Sequence, residues 1–543
     1  MILNLKRLNE DITYHHFKMD TLQKALTLVF PNCYMASIDL KDAYCSVSIW
    51  ETDRKFLRFE WEGQLWQFDC MPNGLALAPR KFTKLLKPVF ATLREKGHLS
   101  TAFLDDSLLL AETEMSCAKN VCDTVKLLQS LRFIVHPEKW AFEPTRRIQY
   151  LVVITDSQSM TVMLTPEKQA DIIACCSKAE KKETLTIRDI AKIIGKIVES
   201  FLAVMHGPLH YRQLEKEKKV ALALNKGDFD GRMTLSLSAK SELRWWNENT
   251  EFTCNVIHHT QPNITLSSDA SKVGWGCARK DSQSGGEWLP EESSFHINHL
   301  ELKAVYFALK RFQGEIVGKH ACIMIDNTTA VACINHMGTS HSKSCNMMMQ
   351  TIWHWCIEND VWLSATFIPG KQNTAADKES RAINLDMEWK LDPTALSHAL
   401  SHLQAHPDID LFASRTNKQF DRYVSYRPDP NAYAVDGLSL CWCDLDFYAF
   451  PPFSVVSQVL GKVKREGAMG VVVVPRWTTQ VWWPLLTRLL IADPVLLPSN
   501  AGLLMLPSQP VKKHPLLPQL RLMVCRISGR GTRDKVSPSK QLT

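Results

Sequence analysis

Two short apolar runs flank a pair of adjacent acids near residue 105. The segment reads TAFLDDSLLL from Thr101 to Leu110, and each apolar run has the length of a strand. An Asp-Asp pair is unfavourable inside a strand and favourable in a turn, so the pattern predicts a hairpin with Asp105 and Asp106 at its tip. Adjacent carboxylates repel unless a cation such as Mg²⁺ lies between them. Two interpretations stay open, a metal site and an acidic turn in solvent.

The rest of the first 160 residues predicts a mixed α/β region around this hairpin. Asp20 is the expected N-cap of the first helix. Helical periodicity occurs in three segments, at 20–30, 79–96 and 116–131. Alternating residues on both sides of Glu62-Gly63 predict a second hairpin. Asp39 ends an apolar strand, an unfavourable place for an acid unless it binds something.

Beyond residue 160 the pattern first becomes helical. Helical periodicity over 166–199, with Thr186 capping a second apolar helix, predicts a helical connector over residues 161–258. Helix packing is the simplest role for this region, and its basic residues would also suit a nucleic-acid backbone.

A second set of acids follows in residues 259–384, where the pattern predicts the order β-β-β-α-β-α-β-α. Asp269 and Asp326 end predicted strands. Glu301 shares an apolar helix face with Val305 and Ala308, and burying an acid there is costly without a partner. Further caps are predicted at three asparagines, Asn298, Asn327 and Asn373, and the helix after the last of these carries Asp377.

Composition adds only a few constraints. The chain has 543 residues, 45% apolar and 22% charged, which is typical of a soluble protein with several domains. No run of roughly 18 apolar residues and no signal peptide are evident, so we expect an intracellular protein without a membrane partner. Sixteen cysteines are then expected to be reduced and mostly in the core. Neither Cys175-Cys176 nor Cys441-x-Cys443 has the usual zinc spacing.

The net charge is concentrated at the carboxyl end. The formal charge is +7, and residues 510–543 alone carry eight basic side chains against one acid, so the preceding residues sum to zero. The bulk of the chain therefore has no general nucleic-acid signature, and residues 526–543 are predicted to form a disordered basic tail.

Four motifs in residues 1–160 occur in the order of the reverse transcriptase palm. They are SIDLKDAY at Asp39, the loop PNGLALAP, the FLDD hairpin and the later Lys139. The segments SIDLKDAY, GLALAPRKFTKLL and FLDDSLLL resemble, more closely, those of retrotransposons of the DIRS type, which use a tyrosine recombinase. The resemblance implies RNA-directed DNA synthesis from an RNA template, a DNA primer and deoxynucleoside triphosphates.

The resemblance also implies roles for individual residues. Asp39, Asp105 and Asp106 would hold two Mg²⁺ ions, with Mn²⁺ as an alternative, for attack of the primer 3′-oxygen on an α-phosphate. Three residues would contact substrates: Tyr44 would exclude a ribose 2′-hydroxyl, and Asn73 and Phe103 would lie near the nucleotide. Lys139 would protonate the leaving pyrophosphate. From the residues alone, Tyr44 also fits a core aromatic and Lys139 a surface lysine.

Three departures from the family pattern stand out. Phe103 replaces the usual Tyr, and Val152 replaces a Gly in the primer-gripping hairpin. The first residues, MILNLKRLN, resemble the middle of the fingers motif, without the basic residues that normally precede it. We therefore expect a chain clipped in the fingers, either a piece of a longer product or a decayed copy.

The second set of acids resembles the ribonuclease H fold. Asp269, Glu301, Asp326 and Asp377 match its four acids, which implies two Mg²⁺ ions and cleavage of RNA paired to DNA. The catalytic histidine of many such nucleases has no clear match here. Residues 385–525 have an α/β pattern. Their Phe450-Pro-Pro-Phe453 resembles, in degenerate form, the [DN]-P-P-[YF] motif of adenine methyltransferases.

The sequence thus predicts a multidomain α+β and α/β protein. Its parts are a reverse transcriptase fingers and palm region (1–160), a thumb or connection (161–258), a ribonuclease H-like domain (259–384), a degenerate methyltransferase-like domain (385–525) and the tail. A separately encoded recombinase would be needed for insertion. The alternative is a catalytically inactive, transposon-derived nucleic-acid-binding protein.

Overall fold

The computed structural model divides the chain into two compact units, Met1–His259 and Thr260–Thr543. It describes residues 4–13, 15–136, 141–257, 259, 261–381, 389–500, 502–507, 512–517 and 519–530. Lys139 and the segment 531–543 of the predicted tail lie outside the described residues.

The first part of unit 1 contains a four-stranded sheet with two long helices packed on it. The strands of this part are β1 (Tyr34–Asp39), β2 (Arg58–Trp61), β3 (Gln64–Gln67), β4 (Leu99–Phe103), β5 (Asp106–Ala111) and β6 (Ala141–Thr145). The helices of this part are α1 (Lys6–Asp11), α2 (Leu22–Leu26), α3 (Ala78–Glu95) and α4 (Glu114–Ser130). The sheet order is β4-β5-β1-β6, and β2 and β3 form a separate hairpin. Both predicted hairpins are therefore confirmed.

The predicted cap of the first helix is wrong by one residue. Thr21 is the N-cap of α2, and its hydroxyl accepts a bond from the Lys24 amide. Asp20 instead pairs with the Lys24 ammonium at 2.6 Å. The reason is local, since a hydroxyl at Thr21 already satisfies a free amide of the first turn.

The second part of unit 1 is the predicted helical connector. Its strands are β7 (Arg147–Tyr150), β8 (Val153–Asp156), β9 (Thr161–Leu164), β10 (Leu185–Thr186), β11 (Arg232–Met233) and β12 (Asn255–Val256), and its helices are α5 (Pro166–Lys181), α6 (Ile187–Glu199), α7 (Arg212–Leu224) and α8 (Leu237–Asn249). Thr186 caps α6 as predicted. A shared apolar core, with Trp246 fully buried, holds the four helices together.

Unit 2 begins with a five-stranded mixed sheet. Its strands are β13 (Ile264–Ala270), β14 (Gly274–Arg279), β15 (Ser282–Glu287), β16 (His320–Ile325) and β17 (Trp362–Phe367), and its helices are α9 (Pro290–Ser293), α10 (Ile297–Arg311), α11 (Gln313–Ile316), α12 (Thr328–Asn335), α13 (Lys343–Glu358) and α14 (Thr374–Arg381). The order is β15-β14-β13-β16-β17. The first three strands are antiparallel neighbours, whereas β13, β16 and β17 run parallel.

Three sequence predictions for this sheet need correction. His296, not Asn298, is the N-cap of α10, so Asn298 lies within the first turn and does not cap the helix. Helix α13 was not predicted. Asn327 caps α12 as expected, accepting from the Ala330 amide at 3.0 Å. The predicted cap at Asn373 is wrong, because its side-chain oxygen is buried without a hydrogen-bond partner. Its side-chain amide instead donates to the Ser268 carbonyl oxygen at 2.9 Å, which ties the start of α14 to β13.

Helix α14 packs directly against the sheet because one strand residue has no side chain. A Cβ on Gly276 would lie 2.1 Å from the carbonyl oxygen of Ala376, an impossible contact. Glycine at this position therefore allows the helix that carries Asp377 to approach β14.

The remainder of unit 2 is a seven-stranded, mainly parallel sheet. The strands in this region are β18 (Lys390–Leu391), β19 (Ile409–Asp410), β20 (Arg422–Ser425), β21 (Ala434–Val435), β22 (Asp446–Ala449), β23 (Met469–Pro475), β24 (Val495–Leu496), β25 (Leu504–Met505) and β26 (Leu522–Ser528), and the helices are α15 (Pro393–His402), α16 (Val456–Glu466) and α17 (Trp483–Leu489). The order is β21-β20-β19-β22-β23-β26-β24, with β26 antiparallel to its neighbours. Because β26 runs to Ser528, residues 526–528 belong to the sheet and not to the predicted tail.

A buried ion pair joins the two sheets of unit 2. Arg415 follows β19, and its Nη1 lies 2.7 Å and 2.8 Å from the two carboxylate oxygens of Glu292. Lys303 contacts the same carboxylate at 2.6 Å. Burial by itself raises the pKa of Glu292, but the charges of Arg415 and Lys303 outweigh it and lower that pKa.

In the part of the chain that the structure describes, the helices are too short or too polar to cross a bilayer.

Replacing Arg415 by Ala should destabilise the full chain by about 3 kcal/mol, the low end for breaking a buried pair, because Lys303 still neutralises Glu292. Urea unfolding followed by tryptophan fluorescence measures the change. Arg427→Ala is the matched control, since Arg427 is exposed and lies 3.8 Å from Glu379, a pair worth less than about 1 kcal/mol. Equal losses in both variants would contradict a structural role for the buried pair.

Candidate active sites

The first set of acids lies at the hairpin tip of unit 1. In the β1–β5 ladder Asp39 is directly opposite Asp106. Leu104 turns the chain with a φ of 56°, and the main-chain oxygen of Asp105 accepts a bond from the Leu40 amide at 3.0 Å. The backbone therefore brings the three predicted aspartates to one edge of the sheet.

The side chains of these three aspartates do not close into a cluster. Asp105 is exposed, and Asp39 and Asp106 are half-buried. Among the described residues, two groups of side chains have ligand atoms that all lie within 4.8 Å of one another. Neither group contains these three aspartates. The three aspartates therefore do not form a closed set of ligands in this structure.

The predicted substrate residues of unit 1 lie around this edge in different environments. Phe103 is the Cα partner of Asp106 across the hairpin. Tyr44 is half-buried, with its ring 5.7 Å from that of Phe82 in an edge-to-face contact. Burial, and then the charge of Asp105, raise the pKa of Tyr44. Asn73 is exposed in the turn before α3.

Tyr150 is a residue of this site that the sequence did not reveal. Its hydroxyl donates to the main-chain oxygen of Asp106 at 3.4 Å. Tyr150 ends β7, two residues before Val152, and thus connects the β7–β8 hairpin to the acidic tip. A Tyr in a strand carries no signal of a contact 44 residues away.

The second set of acids forms a tight cluster in unit 2. One oxygen each of Asp269, Glu301 and Asp326 lie within 4.8 Å of one another. Asp269 and Asp326 stand at the carboxyl ends of the adjacent parallel strands β13 and β16, while Glu301 projects from α10. Gly370 leaves room for this group, because a Cβ there would lie 2.8 Å from Oδ2 of Asp326.

The electrostatics of this cluster favour a bound cation. Asp269 and Glu301 are each only 4% exposed, and Oε2 of Glu301 is buried without a hydrogen-bond partner. Burial, followed by the charges of Asp269 and Asp326, raises the pKa of Glu301 to about 9. Burial, with smaller contributions from Asp326 and Asp377, likewise raises the pKa of Asp269. A hard divalent cation would relieve both the repulsion and the unsatisfied oxygen.

Asp377 lies beside the cluster without joining it. Its charge acts on Asp269, but its carboxylate is partly exposed and accepts from the Arg381 guanidinium at 2.6 Å and 2.8 Å. Of the four predicted acids, the structure therefore brings three together and leaves the fourth at the rim, paired to an arginine.

Ser380 is a residue of this centre that sequence reasoning missed. It is buried, and its hydroxyl donates to Oδ2 of Asp269 at 2.6 Å. Its carbonyl oxygen accepts from the Ser271 hydroxyl at 2.7 Å. Ser380 thus orients the carboxylate of Asp269, a role that outer-shell partners commonly play at metal sites. Its position three residues after Asp377, on the same helix face, was the available signal.

Comparisons with known proteins bear on the first of these two sites. Residues 1–155 match the family model described as reverse transcriptase (RNA-dependent DNA polymerase). The Pol polyprotein of transposon gypsy from Drosophila melanogaster is 23% identical over 400 residues, covering 70% of this chain and 36% of that protein. The Pol polyprotein of transposon 412 from the same fly is 18% identical over 403 residues, covering 70% of this chain and 29% of that protein.

One solved structure is also similar, that of the foamy viral protease-reverse transcriptase in complex with RNA/DNA hybrid. It has 15% sequence identity and a TM-score of 0.42, and the match covers 67% of this chain and 48% of that chain. The chain spans only about a third of the length of the two curated fly relatives, at 29% and 36%.

The amino-terminal part of the chain is therefore a reverse transcriptase domain. More narrowly, it is similar to the reverse transcriptase domains of retrotransposon Pol polyproteins of the gypsy and 412 type.

Glu301→Gln should stabilise the metal-free chain by about 1–3 kcal/mol at pH 9, because it removes a charge from an unsatisfied buried site. The pKa of Glu301 rises from its ordinary 4.5 to about 9 on folding, so the stability of the parent falls as pH rises through that interval. Urea unfolding in EDTA at pH 5 and pH 9 measures this dependence.

Adding Mg²⁺ to the same unfolding experiment tests whether the cluster binds the metal. Mg²⁺ should stabilise the parent at pH 9 and leave the stability of Glu301→Gln unchanged. Glu358→Gln, at the exposed end of α13, serves as the control and should behave as the parent does. If Glu301→Gln kept the pH dependence of the parent, the cluster would not be the source of that dependence.

Proposed function

We propose that the chain is an RNA-directed DNA polymerase with ribonuclease activity on RNA–DNA hybrids, encoded by a retrotransposon of the DIRS type. The observation that carries the proposal is the occurrence of two carboxylate centres in one chain, the first within a reverse transcriptase domain and the second buried in a separate sheet. The partners would be an RNA template, a DNA primer and deoxynucleoside triphosphates.

At the polymerase centre, Asp39, Asp105 and Asp106 would hold two Mg²⁺ ions, or Mn²⁺ in their place. Bound ions would stabilise charge on the attacking and leaving oxygens. The edge-to-face contact with Phe82 holds the ring of Tyr44 in place, and this ring would block a ribose 2′-hydroxyl. Asn73 and Phe103 would contact the nucleotide, and Lys139 would donate the proton to pyrophosphate.

At the nuclease centre, Asp269, Glu301 and Asp326 would hold the cations, and Asp377 would complete the set after releasing Arg381. The sheet order supports this assignment, since three antiparallel strands followed by two parallel ones is the arrangement of the ribonuclease H fold. The water that attacks the RNA phosphate would be activated by the bound metal. Ser380 would keep the carboxylate of Asp269 aimed at the cations.

The carboxyl-terminal sheet supports a structural role more than methyl transfer. Its strand order resembles that of methyltransferases, because the antiparallel strand, β26, lies between β23 and the edge strand β24. However, the polar groups of the loop after β19 are bonded within the protein itself. Asp410 accepts from the amides of Phe412 and Gln419 at 3.2 Å and 3.1 Å, and Arg415 extends to Glu292. We assign residues 385–525 as a scaffold for the nuclease domain or a remnant that contacts nucleic acid.

A second candidate function is an inactive, transposon-derived protein that binds nucleic acid. It is favoured by one observation: among the described residues, the three aspartates at the hairpin tip of unit 1 do not form a group whose ligand atoms all lie within 4.8 Å of one another. Under either function, a recombinase would be the partner that inserts the DNA.

Primer extension on poly(rA)·oligo(dT) with Mg²⁺ and thymidine triphosphate separates the two functions. The full chain should extend the primer, and Asp105→Asn should lower the rate by at least roughly a hundredfold, because it removes charge that stabilises the transition state. Asp42→Asn is the matched control. It makes the same charge change at an exposed position with a φ of 51°, which Asn tolerates. Hybrid binding without extension by the parent would support the inactive alternative.

The nuclease requires an independent assay, because one centre can be active without the other. The full chain should cleave labelled RNA in an RNA·DNA hybrid and leave an RNA·RNA duplex intact. Asp326→Asn should lose this cleavage and keep primer extension. Asp360→Asn, at a turn with a φ of 52°, should retain both activities. Cleavage that persists in Asp326→Asn would overturn the assignment of this centre.

A further inference from the structure

A third group of metal-ligating side chains lies outside both carboxylate centres. The sulfur atoms of Cys441 and Cys443 and a carboxylate oxygen of Glu466 all lie within 4.8 Å of one another. The two sulfur atoms are 3.1 Å apart. The group is formed by the loop that precedes β22 and the last residue of α16.

The residue between the two cysteines anchors this loop. Trp442 is fully buried, and its indole N–H donates to the carbonyl oxygen of Gly437 at 2.8 Å. Its ring packs against Phe447, with ring centroids 5.0 Å apart. Because Trp442 occupies the core, the flanking thiols stay towards the surface, Cys441 exposed and Cys443 half-buried. They differ in this respect from the core cysteines that the sequence led us to expect.

The carboxylate of Glu466 is held in a defined orientation. Its Oε2 accepts from the Trp442 amide at 2.8 Å, and its Oε1 accepts from the ammonium of Lys462. Each carboxylate oxygen has two lone pairs, so one on each oxygen is left for a cation. Hydrogen bonds that orient a ligand in this way are the usual second layer of protein metal sites.

The two thiol groups determine which kind of cation suits this position. Once ionised, they and Glu466 carry three negative charges. Lys462 and Arg530, whose guanidinium donates to the Cys443 carbonyl oxygen at 3.3 Å, offset two of these charges. Thiolate sulfur is a soft ligand, which selects Zn²⁺ or a similar thiophilic ion over Mg²⁺.

We propose that Cys441, Cys443 and Glu466 form a binding site for one Zn²⁺ ion, with water as its fourth ligand. Each thiol releases its proton when the ion binds. This site uses a different ligand chemistry from the carboxylate centres, and it does not depend on the function proposed above.

Zinc binding to the full chain, measured by calorimetry under reducing conditions with excess Mg²⁺, tests the proposal. The parent should bind one more Zn²⁺ per chain than the double variant Cys441→Ser/Cys443→Ser. Glu466→Gln should weaken binding at this site by roughly tenfold or more. Glu358→Gln, which makes the same change at the exposed end of α13, should leave the affinity unchanged. Equal zinc stoichiometry in the parent and the double variant would overturn the site.

A second measurement needs no variant and so holds even where a substitution perturbs folding. Zn²⁺ should protect Cys441 and Cys443 of the parent from alkylation, as mapped by mass spectrometry of the peptides. Cys254, an exposed thiol of unit 1, is the internal control and should react at the same rate with or without zinc. Unchanged alkylation of Cys441 and Cys443 would refute the proposal.

Discussion

Repulsion among three closely spaced carboxylates, two of them buried, is the constraint on which unit 2 depends. Asp269 and Asp326 meet because their parallel strands end at the same edge, and Glu301 is added from a helix that packs on that sheet. With Oε2 of Glu301 unsatisfied and its pKa near 9, the fold holds a protonated acid where a cation would be more stable. A site of this kind costs stability in the metal-free chain, as preorganised functional sites often do.

The carboxylate centre of unit 1 is arranged in a different way. There the backbone sets the arrangement, because the β1–β5 register puts Asp39 opposite Asp106, while the three side chains do not form a closed set of ligands. Its ions and nucleotide would supply the attraction that draws the carboxylates together, and metal-free geometry of this sort commonly tightens when the substrate complex forms.

The carboxyl-terminal sheet shows how a loop at the ends of parallel strands can take an architectural role. Complete burial raises the pKa of Asp410 to about 7, and its carboxylate accepts two amides of its own loop. That loop directs Arg415 into a buried contact with Glu292, where the guanidinium also lies 4.9 Å from the ring of Phe307. The position where open α/β sheets usually bind ligands is thus used to join two domains.

Local pattern determined a large part of this protein. Alternation and turn chemistry predicted the hairpin at Asp105, and strand-end acids predicted both carboxylate centres, because a period of two or 3.6 residues is set by backbone geometry. Tertiary structure alone decided which acids converge, so that Asp377 is at the rim while Ser380 holds Asp269. It also decided the contacts between Arg415 and Glu292 and between Cys443 and Glu466. These partners are distant in sequence, and only the packed fold brings them within reach.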